Sequence, residues 1–174
     1  LSLHLLRTAR AGAATDATFI RSDIRYLPFR DASFDLLTSF FTSFGYFAFD
    51  HEHLAALREW QRVLRPHGTI LLDLPDRAAT LSGLQPLSER RLADGRKVTE
   101  RRTLSEDERR VEKVIAIEDG EAVHSYQESV RLFSESEIFT LLREAGFDLP
   151  RRVAALDGFA GRMVVTAGKR GREA

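Results

Sequence analysis

The feature that most constrains this chain is a strand–helix–strand rhythm between residues 34 and 75. Phe34-Asp-Leu-Leu-Thr-Ser39 is a mainly apolar run of the length of a strand covered on both faces. Asp50 then caps a helix with Leu54, Leu57, Val63 and Leu64 along one side and Trp60 flanking. Arg65-Pro-His-Gly68 ends that helix, because Pro and Gly both oppose its continuation. Thr69-Ile-Leu-Leu-Asp-Leu74 follows as a second apolar strand, halted by Pro75. A strand, a helix and a strand at this spacing form a βαβ unit, so the fold class is α/β, with a Rossmann-like, mostly parallel sheet and a right-handed crossover.

Upstream, Leu3, Leu5, Leu6 and Ala9 mark a short helix closed by Ala11-Gly12, and Ala17–Arg21 is a β-prone run ending at Ser22-Asp23. Downstream, the periodicity changes near residue 85. Asp94-Gly95, Ser105–Asp107 and Asp119-Gly120 separate alternating segments, which predicts a four-stranded antiparallel meander over 86–133, inserted within one domain. Val111, Ile115 and Ile117 share a side, as do Tyr126, Val130 and Leu132, while the many Arg and Glu residues read as a solvated face. Ser134 and Glu137 form a capping box for a helix lined by Ile138, Leu141, Leu142 and Ala145. Two last strands are expected near Arg152–Ala155 and Arg162–Ala167.

With 174 residues the chain is long enough for one domain that buries roughly 70% of its unfolded surface. The 26 basic and 26 acidic side chains cancel, so no global charge favours nucleic acid or an anionic membrane. No apolar run approaches the roughly 18 residues of a membrane span. The absence of cysteine excludes a disulfide, a thiolate-held zinc and a Cys nucleophile, and a reduced, cytoplasmic setting is the default reading. No P-loop pattern occurs, and Ser39, Thr42 and Ser43 lack the surroundings of a hydrolase nucleophile. His51 and His53 cannot converge on one helical face, so no metal site is expected there.

In an open parallel sheet, ligands bind at the carboxyl ends of strands, which selects Asp23 with Ile24, the segment Phe40–Phe49, and Asp73–Asp76. Asp23 can accept from an exocyclic amine while the next backbone N–H donates to a ring nitrogen; a turn-capping Asp is the alternative. Ser39–Phe47 holds five aromatics in nine residues, which suits a wall for a flat or cationic ligand as well as ordinary core packing.

The order Asp23-Ile-Arg-Tyr-Leu-Pro-Phe29, Ser33-Phe-Asp-Leu-Leu37, Leu64-Arg-Pro-His-Gly-Thr-Ile-Leu-Leu-Asp73, with Ser136–Phe147 behind it, resembles the class I S-adenosylmethionine-dependent methyltransferases. Phe41–Phe47 and the meander ending in Ser129–Phe133 resemble a small-molecule subgroup. The resemblance implies that Asp23 and Ile24 meet adenine and that Phe40, Phe41 and Thr42 approach the methionine end of S-adenosylmethionine. It implies a small-molecule acceptor beside Tyr46 and Arg131, with no nucleic acid and no membrane as partner. The reaction requires no enzyme nucleophile, and no general base is identified. The family's D-x-G-x-G-x-G loop has no counterpart in this sequence, so residues 1–174 are expected to be the C-terminal part of one domain, with an exposed sheet edge and weak cofactor binding. The alternative is a non-catalytic scaffold that uses the meander for a homodimer or another partner.

Overall fold

In the computed structural model, which describes residues 2–13, 16–120, 122–153 and 161–171, two four-stranded sheets stand beside four helices. The first helix, α1 (Leu3–Gly12), begins at Ser2, whose side chain accepts from the Leu5 backbone N–H. β1 (Phe34–Ser39), α2 (Asp50–Val63) and β2 (Leu64–Pro75) form the expected βαβ unit, with β1 and β2 parallel. A short helix α3 (Arg77–Gly83) follows, capped by the Asp76 carboxylate on the Ala79 N–H. β3 (Leu87–Arg91), β4 (Lys97–Leu104), β5 (Arg110–Asp119) and β6 (Ala122–Arg131) then make the meander in the order β3-β4-β5-β6. The chain continues through α4 (Glu135–Glu144), β7 (Phe147–Arg152) and β8 (Arg162–Lys169). The main sheet runs β1-β2-β8-β7.

The core lies where α2 and α4 cover one face of that sheet. Alternation along β2 turns Ile70, Leu72 and Leu74 inward, opposite Ala167, Val165 and Met163 of β8. Ala56, Leu57 and Trp60 from α2 and Ile138 and Leu142 from α4 close over them, with Phe44, Phe133 and Phe147 filling the gaps. The α4 capping box is present as expected: Ser134 Oγ accepts from the Glu137 N–H, and Glu137 accepts from the Ser134 N–H at 2.8 Å.

Several expectations need correction. The α/β, Rossmann-like architecture stands, but β1 with β2 is the parallel pair of the main sheet, whereas β8 runs antiparallel to both β2 and β7. Ala17–Arg21 forms no strand, because no described strand lies beside it to complete its ladder. β1 is an edge strand with Leu36 largely exposed, so it is not covered on both faces. The N-cap of α2 is Phe49, whose N–H is bonded by the Glu52 side chain; Asp50 is the first helical residue. Trp60 is buried, with its indole N–H on the Ile24 carbonyl at 2.9 Å. Helix α2 gives way to β2 at Leu64, before the Pro66-His67-Gly68 turn signal. β7 starts at Phe147, earlier than predicted, and Ala154 and Ala155 lie outside the described residues.

Candidate active site

The chain leaves β1 through a tight corner at Phe40–Thr42. Phe41 and Thr42 both take left-handed backbone conformations (φ 53° and 61°), which side-chain-bearing residues hold only when the surroundings impose them. The constraint comes from Asp73 on the neighbouring strand. Its carboxylate, 1% exposed, accepts from the Phe41 N–H at 2.7 Å and from Arg162 Nε at 2.7 Å, and Arg162 Nη2 also reaches the Asp73 carbonyl. A charge buried in the sheet is thus paired on one side and used on the other to fix a loop.

Beyond the corner, Gly45 (φ 126°) lets the loop lie against the end of the meander. Its carbonyl accepts from the Arg131 N–H at 2.8 Å, and a Cβ there would sit 3.3 Å from Val130 Cγ1. This docking turns one face of the meander toward the strand ends. A cavity of about 410 Å³ results, lined by Phe41, Thr42 and Tyr46 from the loop, Pro75 and Arg162 from the sheet, Thr80 and Leu84 from α3 and its end, and Arg102, Val111, Lys113, Glu128, Val130 and Leu132 from the meander and its end. That size falls within the roughly 300–1,000 Å³ usual for small-molecule sites. Burial, and next the nearby Glu128 charge, push the Tyr46 hydroxyl up, so it stays protonated and able to donate.

The residues singled out from the sequence separate into three groups. Phe41, Thr42 and Tyr46 line the cavity together, with Phe40 beside them at the start of the corner. Asp23 and Ile24 lie in a turn and not at a strand end, and line none of the described cavities. Asp23 accepts from the Arg25 N–H at 2.8 Å and from Arg25 Nη2 at 2.8 Å, and that guanidinium hydrogen bond holds its carboxyl below the usual range. With Nε also shared between its oxygens, each oxygen accepts two of these bonds, which takes up the roughly four acceptor positions that the group offers. Arg25 continues to Glu52 on α2, which fastens the turn to the helix. Arg131 is placed elsewhere again. It is 3% exposed and bonds Glu137 at 2.8 Å, Asp50 at 3.2 Å and the Leu132 carbonyl at 2.6 Å, with its guanidinium over Phe133. It ties the meander to α2 and α4, and it does not line the cavity.

Arg102, Lys113, Glu128 and Arg162 are cavity residues that the sequence reading missed. The meander charges had read as solvated, yet the register puts Arg102, Lys113 and Glu128 on the same side as Val111 and Val130. Their positions alternate in phase with those apolar residues, which was the available signal. Among the described residues no cluster of His, Asp and Glu could hold a metal, and no helix is long and apolar enough to cross a membrane.

A βαβ unit with a strand-end corner beneath an antiparallel cap is a Rossmann-like arrangement that this chain shares with solved S-adenosylmethionine-dependent methyltransferases. Residues 1–72, less than half of the chain, match the family model described as a methyltransferase domain. Among solved structures, the chain is similar to an S-adenosylmethionine-dependent methyltransferase from Clostridium acetobutylicum, at 17% identity and a TM-score of 0.74, covering 98% of this chain and 73% of that one. It is also similar to the sugar N-methyltransferase KedS8 from Streptoalloteichus, at 19% identity and a TM-score of 0.69, covering 98% and 69%. A third is the S-adenosylmethionine-bound amino pentose methyltransferase CalS10 from Micromonospora echinaspora, at 21% identity and a TM-score of 0.56, covering 85% and 63%. At these identities the likeness is one of fold. No curated protein matches the sequence.

Proposed function

We propose that the chain takes part in methyl transfer from S-adenosylmethionine to a small-molecule acceptor held in the 410 Å³ cavity. The observation that carries this is the Phe41–Thr42 corner, braced by Asp73 at the ends of β1 and β2 and opening into that cavity. The residues fit the donor: Asp23 stands at a partly exposed turn where a ligand amine can compete with Arg25 for its carboxylate, and Phe41, 85% exposed, offers an aromatic edge at the corner. When bound, S-adenosylmethionine supplies an electrophilic methyl carbon on a sulfonium. On this reading Asp23 and the Ile24 N–H hold the adenine side, and Phe40, Phe41 and Thr42 face the methionine side. Tyr46 donates to the acceptor, and the meander excludes water from the cavity. Positioning and desolvation then supply most of the rate, and no side chain forms a covalent intermediate.

The names of two structural neighbours, a sugar N-methyltransferase and an amino pentose methyltransferase, support a sugar-like acceptor. Arg131, inside its ion-pair network, holds the meander in place on this reading. The outer meander face, where Leu87, Val114 and Val123 are exposed, supports pairing of two copies there. Absence of cysteine supports the cytoplasm as the setting.

Calorimetric titration with S-adenosylhomocysteine tests the reading on the chain and on a form extended at its N-terminus. Saturable binding by either, weakened by Phe41→Gly, is expected. Binding by neither refutes the reading.

A further inference from the structure

The side of the meander turned to the cavity carries an arrangement that apolar packing does not require. Arg102 of β4 and Lys113 of β5 are direct register partners, so two cations stand opposite each other on one face. Like charges in that position oppose strand pairing. Arg162 of β8 lines the same cavity. All three side chains are only 23–26% exposed, so solvent does little to screen them.

Each cation has one carboxylate partner: Glu100 for Arg102, Glu128 for Lys113 at 2.6 Å, and Asp73 for Arg162. Glu100 and Asp73 are not among the lining residues, whereas all three cations are. The cluster is charge-balanced, three cations with three carboxylates, but the cavity wall itself is formed by the three cations and only one of the acids, Glu128. Donors also remain. Arg162 uses Nε and Nη2 on Asp73, and among the described residues its Nη1 makes no hydrogen bond. Lys113 uses its ammonium on Glu128, which leaves two of its three N–H groups.

We infer that the cavity binds an anionic acceptor, its phosphate or carboxylate group seated between Arg102, Lys113 and Arg162. The anion takes the spare donors of Arg162 and Lys113 and leaves the rest of the molecule toward Tyr46 and the Phe41–Thr42 corner. The inference rests on the reading of this cavity as the acceptor site and names the acceptor's class.

The test is calorimetric titration of the full chain, at fixed ionic strength, with glucose 1-phosphate, glucuronate, glucose and inorganic phosphate as probes, separately from the S-adenosylhomocysteine titration. An anionic probe is expected to bind at least about tenfold more tightly than glucose. Lys113→Met should remove about tenfold of that affinity, and Glu128→Gln should raise it severalfold by deleting the repelling charge. A purely structural ion pair predicts no such opposed pair of effects. Preference for glucose 1-phosphate assigns a phosphate ester, and preference for glucuronate assigns a carboxylate. Equal binding of glucose, binding of none of the probes, or anion binding unmoved by Lys113→Met overturns the inference. S-Adenosylhomocysteine binding without anion preference sinks this inference alone; anion binding without S-adenosylhomocysteine binding sinks the methyl-donor reading alone.

Discussion

Replacing His53 should remove most of the pH dependence of folding between pH 6.5 and 4.5. His53 sits on α2 with 0% exposure, its ring edge-on to Phe44, Phe47 and Phe133 at centroid distances of 5.0–5.2 Å. Nδ1 lies 3.1 Å from the Phe49 carbonyl, while Nε2 has no partner among the described residues. Burial is the main cause that pulls its pKa from 6.5 down to about 4; the nearby Asp50 charge and the Phe49 carbonyl only partly oppose it. The unfolded chain therefore takes up a proton near pH 6.5, and the folded chain refuses it until about pH 4. Stability must fall as pH falls through that window, because the unfolded state binds more protons. The gap corresponds to about 3 kcal/mol in full, of which about 1.4 kcal/mol is lost by pH 5.5 and about 2.5 kcal/mol by pH 4.5. A domain stable by roughly 5–15 kcal/mol registers such a change clearly.

The variant to make is His53→Leu. It keeps an apolar group of similar size among the rings, and the Phe49 carbonyl retains the Glu52 N–H as a donor at 3.1 Å. Urea unfolding at pH 7.5, 6.5, 5.5 and 4.5, followed by the fluorescence of the single tryptophan, Trp60, gives the stability of each form. The parent should weaken progressively, whereas the variant should stay nearly level down to pH 5.5 and lose clearly less than the parent by pH 4.5, where paired carboxyls such as Glu137 begin to contribute in both forms. Parallel decline of the two forms would falsify the assignment of the acid sensitivity to this imidazole.

Three further outcomes follow from the site and its supports. Phe41→Gly should leave stability unchanged or raise it by about 1 kcal/mol, since glycine accepts a positive φ without cost, yet it should weaken S-adenosylhomocysteine binding; unfolding and titration on one sample separate the effects. Asp73→Asn should cost about 2–3 kcal/mol in urea unfolding, below the figure for a fully buried pair because Arg162 is partly exposed, and ligand affinity should fall with the loosened corner. Arg131→Met should cost about 2–3 kcal/mol by the same measure, discounted because Asp50 and Glu137 reach solvent. Burial acts to raise the Glu137 carboxyl, but bonds from the Ser134 N–H and Arg131 outweigh it and bring it down to about 2. Its stabilisation is present above pH 4.5 and lost as pH falls toward 2, and this acid loss should shrink in Arg131→Met.

What the sequence revealed and what it hid divide along the range of the interactions involved. The meander was legible because Asp94-Gly95 and Asp119-Gly120 specify turns within a few residues, and the α4 start because Ser134 and Glu137 satisfy each other locally. Ala17–Arg21 misled for the complementary reason: strand propensity forms a strand only where another strand completes the ladder. The brace between Asp73 and Phe41 spans 32 residues, and that between Asp73 and Arg162 spans 89, distances over which no periodicity carries information. A single carboxylate inside Ile70-Leu-Leu-Asp-Leu74 was its one trace, since an acid in a buried strand must find a partner.

The same distinction explains why the meander side of the cavity was the harder half to read. Phe40–Thr42 follows directly on β1, so its place at the strand ends comes from local order. Arg102, Lys113 and Glu128 reach the cavity only because two hairpin registers and the close approach at Gly45 aim one meander face at the sheet. A one-residue slip of β6 against β5 would send Glu128 to the opposite face and leave Gln127 in its place, breaking up the set. The charged lining of this cavity is thus a property of strand register and docking, and it changes with a turn residue as readily as with a lining residue.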